Sequence, residues 1–286
     1  MITVEEATHI VLGAKKDFGK EYIAFQSSLG RVLAEAITAD RDMPPFDRVA
    51  MDGIAISYDA IQKGITSFQC KGIQAAGDEP LSLQNPGECV EIMTGCALPP
   101  TADTVIRYED VMIQNGLATL QTNNIKKAQN IHSRGTDKKQ GDVVAKAGQI
   151  ITPALINVLA SVGATRVCVQ KLPKTVIIST GNELVDVQQQ PGANSIRRSN
   201  NYMMQAALKG YGMDAKLLHI ADNPAQMKEA LAECFANYDV IIASGGVSAG
   251  RFDHLPEVLQ ELGVKRLFHK VKQRPGKPFW FGEAGN

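Results

Sequence analysis

The chain has 286 residues, about two domains at roughly 150 residues each and enough to bury a core. Its 30 Lys plus Arg balance 30 Asp plus Glu, so it lacks the basic footprint of a protein that binds nucleic acid or a lipid surface. No apolar run approaches the ~20 residues of a membrane span, and the N-terminus is acidic rather than a signal peptide. These features predict a soluble, cytoplasmic protein that binds neither nucleic acid nor membrane. The five cysteines are scattered and never spaced Cys-x-x-Cys, which predicts reduced, mostly buried thiols.

The first 171 residues are predicted to be β-rich after one opening helix. Thr3 and Glu6 form a capping box, and apolar residues follow at helical spacing as far as Ala14. Strand-like stretches at 89–93, 104–108 and 111–114 lie between Gly, Pro, Asp and Asn clusters. A helix from Pro153 to about Val162 and a strand over 164–170 end this region, so we place the domain junction at 172.

From residue 172 onward, short β-branched runs alternate with helical patterns, the order that gives a parallel sheet covered by helices. The predicted strands are 175–179, 215–220, 239–243, 266–271 and 278–281. The predicted helices are 200–209, begun by Ser199, 224–236, begun by Asn223 and Pro224, and 254–262. Residues 172–286 are therefore predicted to form an α/β domain with a doubly wound, mostly parallel sheet.

Polar loops follow the first three of these strands, where ligands bind in an open parallel sheet. The third loop, 244–250, combines three glycines with two serines, which favours a phosphate cradle, although a tight turn explains such a loop equally well. Glu183, Asp222 and Asp253 supply one carboxylate per strand end, the oxygen ligands that Mg²⁺ requires. N-caps and surface charges are the alternative interpretation.

Two further segments carry candidate groups. A basic cluster at 270–277 offsets the charge of a polyanionic ligand or forms a solvated edge strand. The proline-stiffened loop 43–53 presents Asp47 and Asp52 rigidly, unless it is only an Asp-Gly turn. The histidines show no metal-ligand spacing and are interpreted as structural, and no covalent nucleophile is evident. The pattern favours phosphate binding assisted by a metal.

At these residues the sequence resembles the molybdopterin molybdotransferase family, of the MoeA and gephyrin E-domain type. Six motifs occur in the family's order: Pro45-Phe46-Asp47 with Ala50-Met51-Asp52-Gly53, Ile92-Met93-Thr94-Gly95, Arg134-Gly135-Thr136-Asp137, Ser179-Thr180-Gly181-Asn182-Glu183-Leu184, Ser244-Gly245-Gly246-Val247-Ser248-Ala249-Gly250 with Asp253, and Pro275-Gly276-Lys277-Pro278. They extend over nearly the whole chain.

The resemblance implies an enzyme of the last step of molybdenum cofactor synthesis, which takes adenylylated molybdopterin and molybdate with Mg²⁺ and releases AMP. It implies that 1–171 is a β-rich subdomain inserted in an α+β linker subdomain, that 172–286 binds molybdopterin, and that a C-terminal β-rich domain of the family is lacking. It also implies a homodimer with a composite site, in which the Asp52 and Thr94 loops complete the partner's site. Molybdopterin adenylyltransferase and molybdoenzyme apoproteins are further partners that it suggests.

Carried over position by position, the resemblance assigns catalytic roles to Asp52, Asp222, Asp253 and Glu183, with the metal on Glu183, Asp222 and Asp253. Its substrate-binding residues are Thr94, Asp137, Thr180, Gly181, Ser199, Ser244, Gly245, Gly246, Val247, Ser248, Gly250, Lys270 and Lys277. Three positions depart from the family: Arg48-Val49 where small polar residues are common, Thr136 at an often acidic position, and Arg274 in place of a frequent lysine.

Two other functions fit parts of the pattern. A molybdopterin adenylyltransferase has the same doubly wound domain, but the first 171 residues with the Asp52 loop argue against it. A non-catalytic molybdopterin-binding scaffold would keep the dimer but need no acids, so the three strand-end carboxylates favour catalysis.

Overall fold

The computed structural model describes residues 1–246 and 254–285. The chain folds as two compact units. Unit 1 comprises Met1–Ala34, Ile150–Thr152 and Arg166–Asn286, and unit 2 comprises Glu35–Gln149 and Pro153–Thr165. Unit 2 is therefore inserted in the sequence of unit 1.

The helices within the described ranges are α1 (Val4–Gly13), α2 (Tyr58–Gln62), α3 (Pro153–Ser161), α4 (Asn200–Lys209), α5 (Pro224–Asn237) and α6 (Leu255–Glu261). The strands are β1 (Lys20–Ala24), β2 (Ile37–Thr38), β3 (Arg48–Val49), β4 (Gly53–Ile56), β5 (Ser67–Gln74), β6 (Glu88–Ile92), β7 (Thr104–Arg107), β8 (Val111–Gln114), β9 (Leu117–Leu120), β10 (Ile131–His132), β11 (Val143–Ala145), β12 (Arg166–Gln170), β13 (Thr175–Thr180), β14 (Leu184–Val185), β15 (Ile196–Arg197), β16 (Ala215–Ile220), β17 (Val240–Ser244), β18 (Lys265–His269) and β19 (Trp280–Glu283). None of the helices in these ranges is long and apolar enough to cross a membrane.

The centre of unit 1 is a parallel sheet of strand order β16-β13-β17. The central strand β13 is buried along its whole length, as expected for a strand covered on both faces. Its residues Val176 and Ile178 pack with Met227 and Leu231 of α5 and with residues of α6 in one core cluster. The predicted helices and the first three predicted strands of this region are confirmed, and with them the α/β fold with its parallel sheet. The last two predicted strands overlap β18 and β19, which pair antiparallel in a separate two-stranded sheet.

Of the two N-cap residues predicted in this part of the sequence, the structure confirms one. The Asn223 side chain accepts hydrogen bonds from the amides of Ala225 and Gln226, and Pro224 occupies the first helical position, as predicted. Ser199 was expected to cap α4, but its own backbone is already helical and its side chain makes no capping bond. A cap requires extended backbone at that residue, so the Ser199 hydroxyl is left for other contacts.

The N-terminal helix belongs to unit 1. The capping box of Thr3 and Glu6 is present, with both reciprocal hydrogen bonds. The helix buries only Ala7, which packs with Phe268 and Val271. Most of the apolar stripe expected along this helix is therefore only partly buried or exposed, because a single narrow face meets the rest of the unit.

Unit 2 contains a six-stranded sheet of order β7-β4-β6-β5-β9-β8, which confirms the β-rich prediction. Its strand pairs are antiparallel except β5 with β6, which are parallel. Alternate residues of β4 enter two different core clusters: Ile54 and Ile56 one, and Ala55 the other. Both faces of this strand are thus covered, and β4 is buried throughout.

Candidate active site

The carboxyl ends of the strands in unit 1 bring two predicted loops into contact. Because Thr180 is in register with Ile220, the loops that follow them leave the sheet side by side. The Asn182 amide donates to a carboxylate oxygen of Asp222 at 3.1 Å, and the Asp222 amide donates to the Asn182 side-chain oxygen at 3.1 Å. This reciprocal pair fixes the backbone of both loops and holds the Asp222 carboxylate at the edge of the sheet.

The end of β17, at Ser244, lies beside the end of β13. Gly245 and Gly246 have φ values of +100° and +67°, which other residues rarely adopt. A Cβ atom at Gly245 would lie 2.8 Å from both the carbonyl oxygen and the hydroxyl of Thr180. Thr180 itself is buried, and its hydroxyl has no hydrogen-bond partner among the described residues. The two glycines thus allow the loop to cross directly over a buried hydroxyl.

A small cavity of about 70 Å³ opens beside these strand ends. Its walls are Ser179, Leu184, Ile196, Arg197, Arg198, Ser199, Asn200, Asn201 and Ser244. The Asn200 side-chain amide donates to the Ser244 hydroxyl at 3.2 Å, which ties the start of α4 to the end of β17. The cavity therefore presents hydroxyl, amide and guanidinium groups, the donors that an anionic ligand needs.

One wall of this cavity carries a largely buried positive charge. The Arg198 side chain is 16% exposed and forms an ion pair with Asp186. Its Nε atom is buried and has no hydrogen-bond partner within the described ranges. Asp186 offsets the charge of this arginine and leaves one donor of its guanidinium unused.

The predicted metal ligands are only partly within the described ranges. The Glu183 carboxylate folds back over Gly181, 2.6 Å from the position a Cβ would take there, and the φ of Gly181 is +136°. Within 1–246 and 254–285, no group of three or more His, Cys, Asp or Glu side chains is close enough to hold a metal ion. Asp253, and with it the predicted ligand-binding residues Val247, Ser248 and Gly250, lies outside the described residues.

The predicted basic residues lie elsewhere in unit 1. Lys270 follows β18 with a φ of +74°, and its carbonyl accepts the Ile2 amide at 3.1 Å. Lys277 lies before β19, and its carbonyl accepts the Val271 amide at 3.0 Å. In the part of the chain that the structure describes, neither ammonium group forms an ion pair. Among the described residues, no ion pair connects these lysines to the strand-end loops.

In unit 2, Asp52 and Thr94 are in direct contact. The Asp52 carboxylate accepts the Thr94 backbone amide at 2.6 Å, and this hydrogen bond, with one from the Thr94 side chain, lowers the pKa of Asp52 below its usual value. The next residue, Gly53, lies so close to β7 that a Cβ would be 1.9 Å from the Ile106 carbonyl oxygen. The Thr94 amide therefore fixes the position of the Asp52 carboxylate, and the close packing of Gly53 against β7 fixes the backbone next to it.

The rest of the proline-stiffened loop is fixed by backbone contacts on two sides. Val49 exchanges hydrogen bonds with the 95–96 segment, and the Ala50 amide donates to the Asn130 carbonyl at 2.9 Å. The Asp47 carboxylate accepts the Arg134 amide at 2.8 Å. The loops that carry Asp52, Thr94 and Asp137 therefore form one connected layer within unit 2.

Asp137 is linked to this layer through a histidine. His132 Nε2 lies 3.1 Å from the Asp137 carboxylate, and His132 Nδ1 lies 3.0 Å from the Arg48 guanidinium. Because a guanidinium only donates, Nδ1 must accept, and a neutral ring then carries its proton on Nε2 and donates it to Asp137. Arg48, one of the departures from the family pattern, therefore selects the tautomer that binds Asp137.

Sequence reasoning missed several of these groups. Asn182 lies in a predicted loop and Asn200 at the start of a predicted helix, but their partners Asp222 and Ser244 are distant in sequence. His132 was interpreted as structural, and only its place beside a predicted aspartate in space distinguishes it. An arginine pair before a helix, at 197–198, was the one signal that could have indicated the cavity wall.

Two known protein families match the chain, one in its N-terminal part and one in its C-terminal part. Residues 2–163 match the family described as "MoeA N-terminal region (domain I and II)", and residues 176–285 match the "Probable molybdopterin binding domain". A doubly wound domain of the molybdopterin-binding class thus follows a MoeA-type N-terminal region.

Known proteins that match nearly the whole chain show the same family. The chain is 39% identical to a molybdopterin molybdenumtransferase of Synechocystis sp., covering 99% of this chain and 73% of that protein. It is 33% identical to one of Staphylococcus aureus, covering 100% and 71%. A crystal structure of the molybdopterin biosynthesis MoeA protein of Pyrococcus horikoshii OT3 matches with a TM-score of 0.85 at 27% identity, over 99% of this chain and 72% of that one. The chain belongs to the MoeA family.

Proposed function

We propose that this chain inserts molybdenum from molybdate into adenylylated molybdopterin and releases AMP, the last step of molybdenum cofactor synthesis. Relatives that match nearly the whole chain carry the name molybdopterin molybdenumtransferase. The observation that carries the proposal is the cavity at the carboxyl edge of the parallel sheet, within the part that matches a molybdopterin-binding domain.

The cavity groups suit a phosphate-bearing substrate. Arg198, whose charge Asp186 offsets, has one guanidinium donor unused, and the hydroxyls of Ser199 and Ser244 supply short-range hydrogen bonds. These donors are already in position, since Ser244 is held by Asn200 and Arg198 by Asp186. We propose that they bind the adenylate phosphate and hold it still while the pyrophosphate linkage is broken.

Mg²⁺ is proposed as the metal. Mg²⁺ commonly binds proteins through one or two carboxylates together with substrate phosphates. Glu183 and Asp222, which lie on neighbouring loops, supply two carboxylates, so a third protein carboxylate is not required. Bound there, Mg²⁺ would offset the charge of the phosphates and molybdate. Asp253 is proposed as a further ligand from the sequence. Asn182 orients Asp222, and Gly181 leaves room for the Glu183 carboxylate.

A homodimer with composite sites is also proposed. In it, Asp52, Thr94 and Asp137 of one subunit complete the site of its partner, and Lys270 and Lys277 contribute positive charge. Support comes from the rigidity of the Asp52 loop and from the lowered pKa of Asp52, which keeps this carboxylate ionised. Molybdopterin adenylyltransferase, which would supply the substrate, and molybdoenzyme apoproteins, which would receive the product, are proposed as transient partners.

The test measures AMP release from adenylylated molybdopterin with molybdate and Mg²⁺. We expect Asp222→Asn to lower the rate at least ~10²-fold, the scale expected when an oriented catalytic group is lost. The matched control is Asp239→Asn, at the opposite end of the same sheet, where the carboxylate only accepts the Lys174 amide at 2.7 Å. Equal rates in the two variants would contradict the assigned role of Asp222.

Two other outcomes would replace the proposal itself. If the wild-type chain released pyrophosphate from ATP and molybdopterin, it would be an adenylyltransferase. If it bound molybdopterin with no turnover in either assay, it would be a scaffold.

A further inference from the structure

Two cysteines of unit 2 face each other across neighbouring strands. Cys70 of β5 is the register partner of Cys89 of β6, and the two strands run parallel there. Partners in a parallel pair point their side chains to the same face of the sheet. The two sulfur atoms lie 3.5 Å apart, in direct contact.

The two thiols differ in their access to solvent. Cys89 is completely buried, whereas Cys70 is half-buried at the margin of the same core cluster. Burial is also the main cause that raises the pKa of the Cys89 thiol, which keeps it protonated. Cys70 is therefore the sulfur that an external reagent meets first.

We propose that Cys70 and Cys89 form a redox-modification site, which a low-molecular-weight disulfide converts to a cross-strand disulfide. In the first step the Cys70 thiolate attacks one sulfur of the reagent, forming a mixed disulfide and releasing one thiolate. In the second step Cys89 loses its proton and its thiolate attacks Cys70 Sγ, which breaks the mixed disulfide; the departing reagent thiolate takes up a proton and leaves as the second thiol. Two protein thiols are oxidised and one reagent disulfide is reduced to two thiols.

The pairing of these two strands is compatible with this bond. Neighbouring strands lie about 4.8 Å apart, and disulfides join Cα atoms separated by roughly 4.4–6.8 Å. The usual spacing of paired strands therefore falls within the range that a disulfide spans. It would join β5 and β6, the one parallel pair among the paired strands that the structure describes in the six-stranded sheet. This inference is independent of the proposed enzymatic activity.

The experiment treats the folded full chain with oxidised glutathione and measures its intact mass. The wild type should lose the mass of two hydrogens and keep no glutathione, because Cys89 displaces it. Cys89→Ser should keep one glutathione on Cys70. Cys70→Ser should not react, because Cys89 is buried.

Cys96→Ser is the matched control, since Cys96 is a completely buried thiol of the same unit whose Sγ donates to the Gln74 carbonyl at 3.1 Å. It should behave as the wild type does. Proteolytic mapping of the oxidised wild type should recover a Cys70–Cys89 cross-linked peptide, which keeps the test valid if Cys89→Ser does not fold. A stable glutathione adduct on the wild type, no reaction at all, or a cross-link through another cysteine would each overturn the proposal.

Discussion

The two units position their candidate residues by different means. In unit 1 a parallel sheet brings three loops to one edge, and the register of β13 with its neighbours decides which residues meet. In unit 2 the candidate residues lie on irregular segments that are fixed by carboxylates accepting backbone amides, as Asp52 does from Thr94 and Asp47 from Arg134. The first arrangement depends on regular secondary structure, and the second depends on individual side chains.

The largest expected effect is a loss of stability in unit 2, at Gly53, where the structure has no room for a side chain. Gly53→Ala would place a Cβ 1.9 Å from the Ile106 carbonyl oxygen, so β4 and β7 would have to separate. We expect the free energy of unfolding to fall by about 3 kcal/mol or more, the range of severe overpacking. Urea unfolding measures this, with Gly13→Ala as the control because its Cβ meets no atom within 4 Å. Equal stability of the two variants would contradict the close approach.

In unit 1 the corresponding test removes one contact between loops. Asn182→Ala loses the acceptor for the Asp222 amide, which should cost about 1 kcal/mol of stability. Asn237→Ala, which loses a hydrogen bond to the Glu233 carbonyl at 2.8 Å, is the control for a hydrogen bond remote from the site. Only Asn182→Ala should raise the Mg²⁺ concentration needed for half-maximal AMP release. The same shift in both variants would mean that Asn182 has no positioning role.

The Asp52 loop predicts a pH dependence for unit 2. The pKa of Asp52 is lowered in the folded state, so its ionised form contributes stability above its ordinary pKa of about 3.9, and this contribution is lost as the pH falls through the lower folded value. Asp52→Asn keeps an acceptor for Thr94 but has no charge. The melting temperature of the wild type should therefore exceed that of Asp52→Asn at neutral pH, and the two should converge in acid.

Asp214→Asn supplies the comparison for that measurement, because Asp214 is exposed and lies in unit 1. Its melting temperature should follow that of the wild type at every pH. A gap between wild type and Asp52→Asn that persists unchanged however far the pH is lowered would show that charge is not the cause.

The smallest expected effect concerns His132. Nitrogen NMR should find its proton on Nε2 in the wild type, because Arg48 donates to Nδ1. Arg48→Ala should give a mixture of tautomers and lower AMP release only about threefold, since exposed pairs contribute ~1 kcal/mol or less. His9, on the exposed side of α1, is the internal reference. A wild-type ring protonated on Nδ1 would disprove the assignment whether or not the chain is active.

The sequence predicts helices and strands that depend on interactions between neighbouring residues. It does not predict contacts between residues that are far apart in the chain. Asn223 and Pro224 start α5 through atoms within three residues, so the pattern sufficed. The Arg48 contact with His132 spans 84 positions, and no periodicity in the sequence specifies it. Ser199 shows the reverse error, because a favourable residue type does not establish the backbone angle that capping requires.

The insertion of unit 2 has a consequence for how the chain folds as it is synthesised. Strand β1 pairs with β12, and the Arg166 side chain reaches back to the Tyr22 carbonyl across 144 positions. Synthesis proceeds from the N-terminus, so the six-stranded sheet is available to fold while β1 still lacks its partner. Closing such a long loop is slow relative to local pairing. Strand β1 is therefore among the last elements to be paired, and it remains open to chaperones and proteases until β12 emerges from the ribosome.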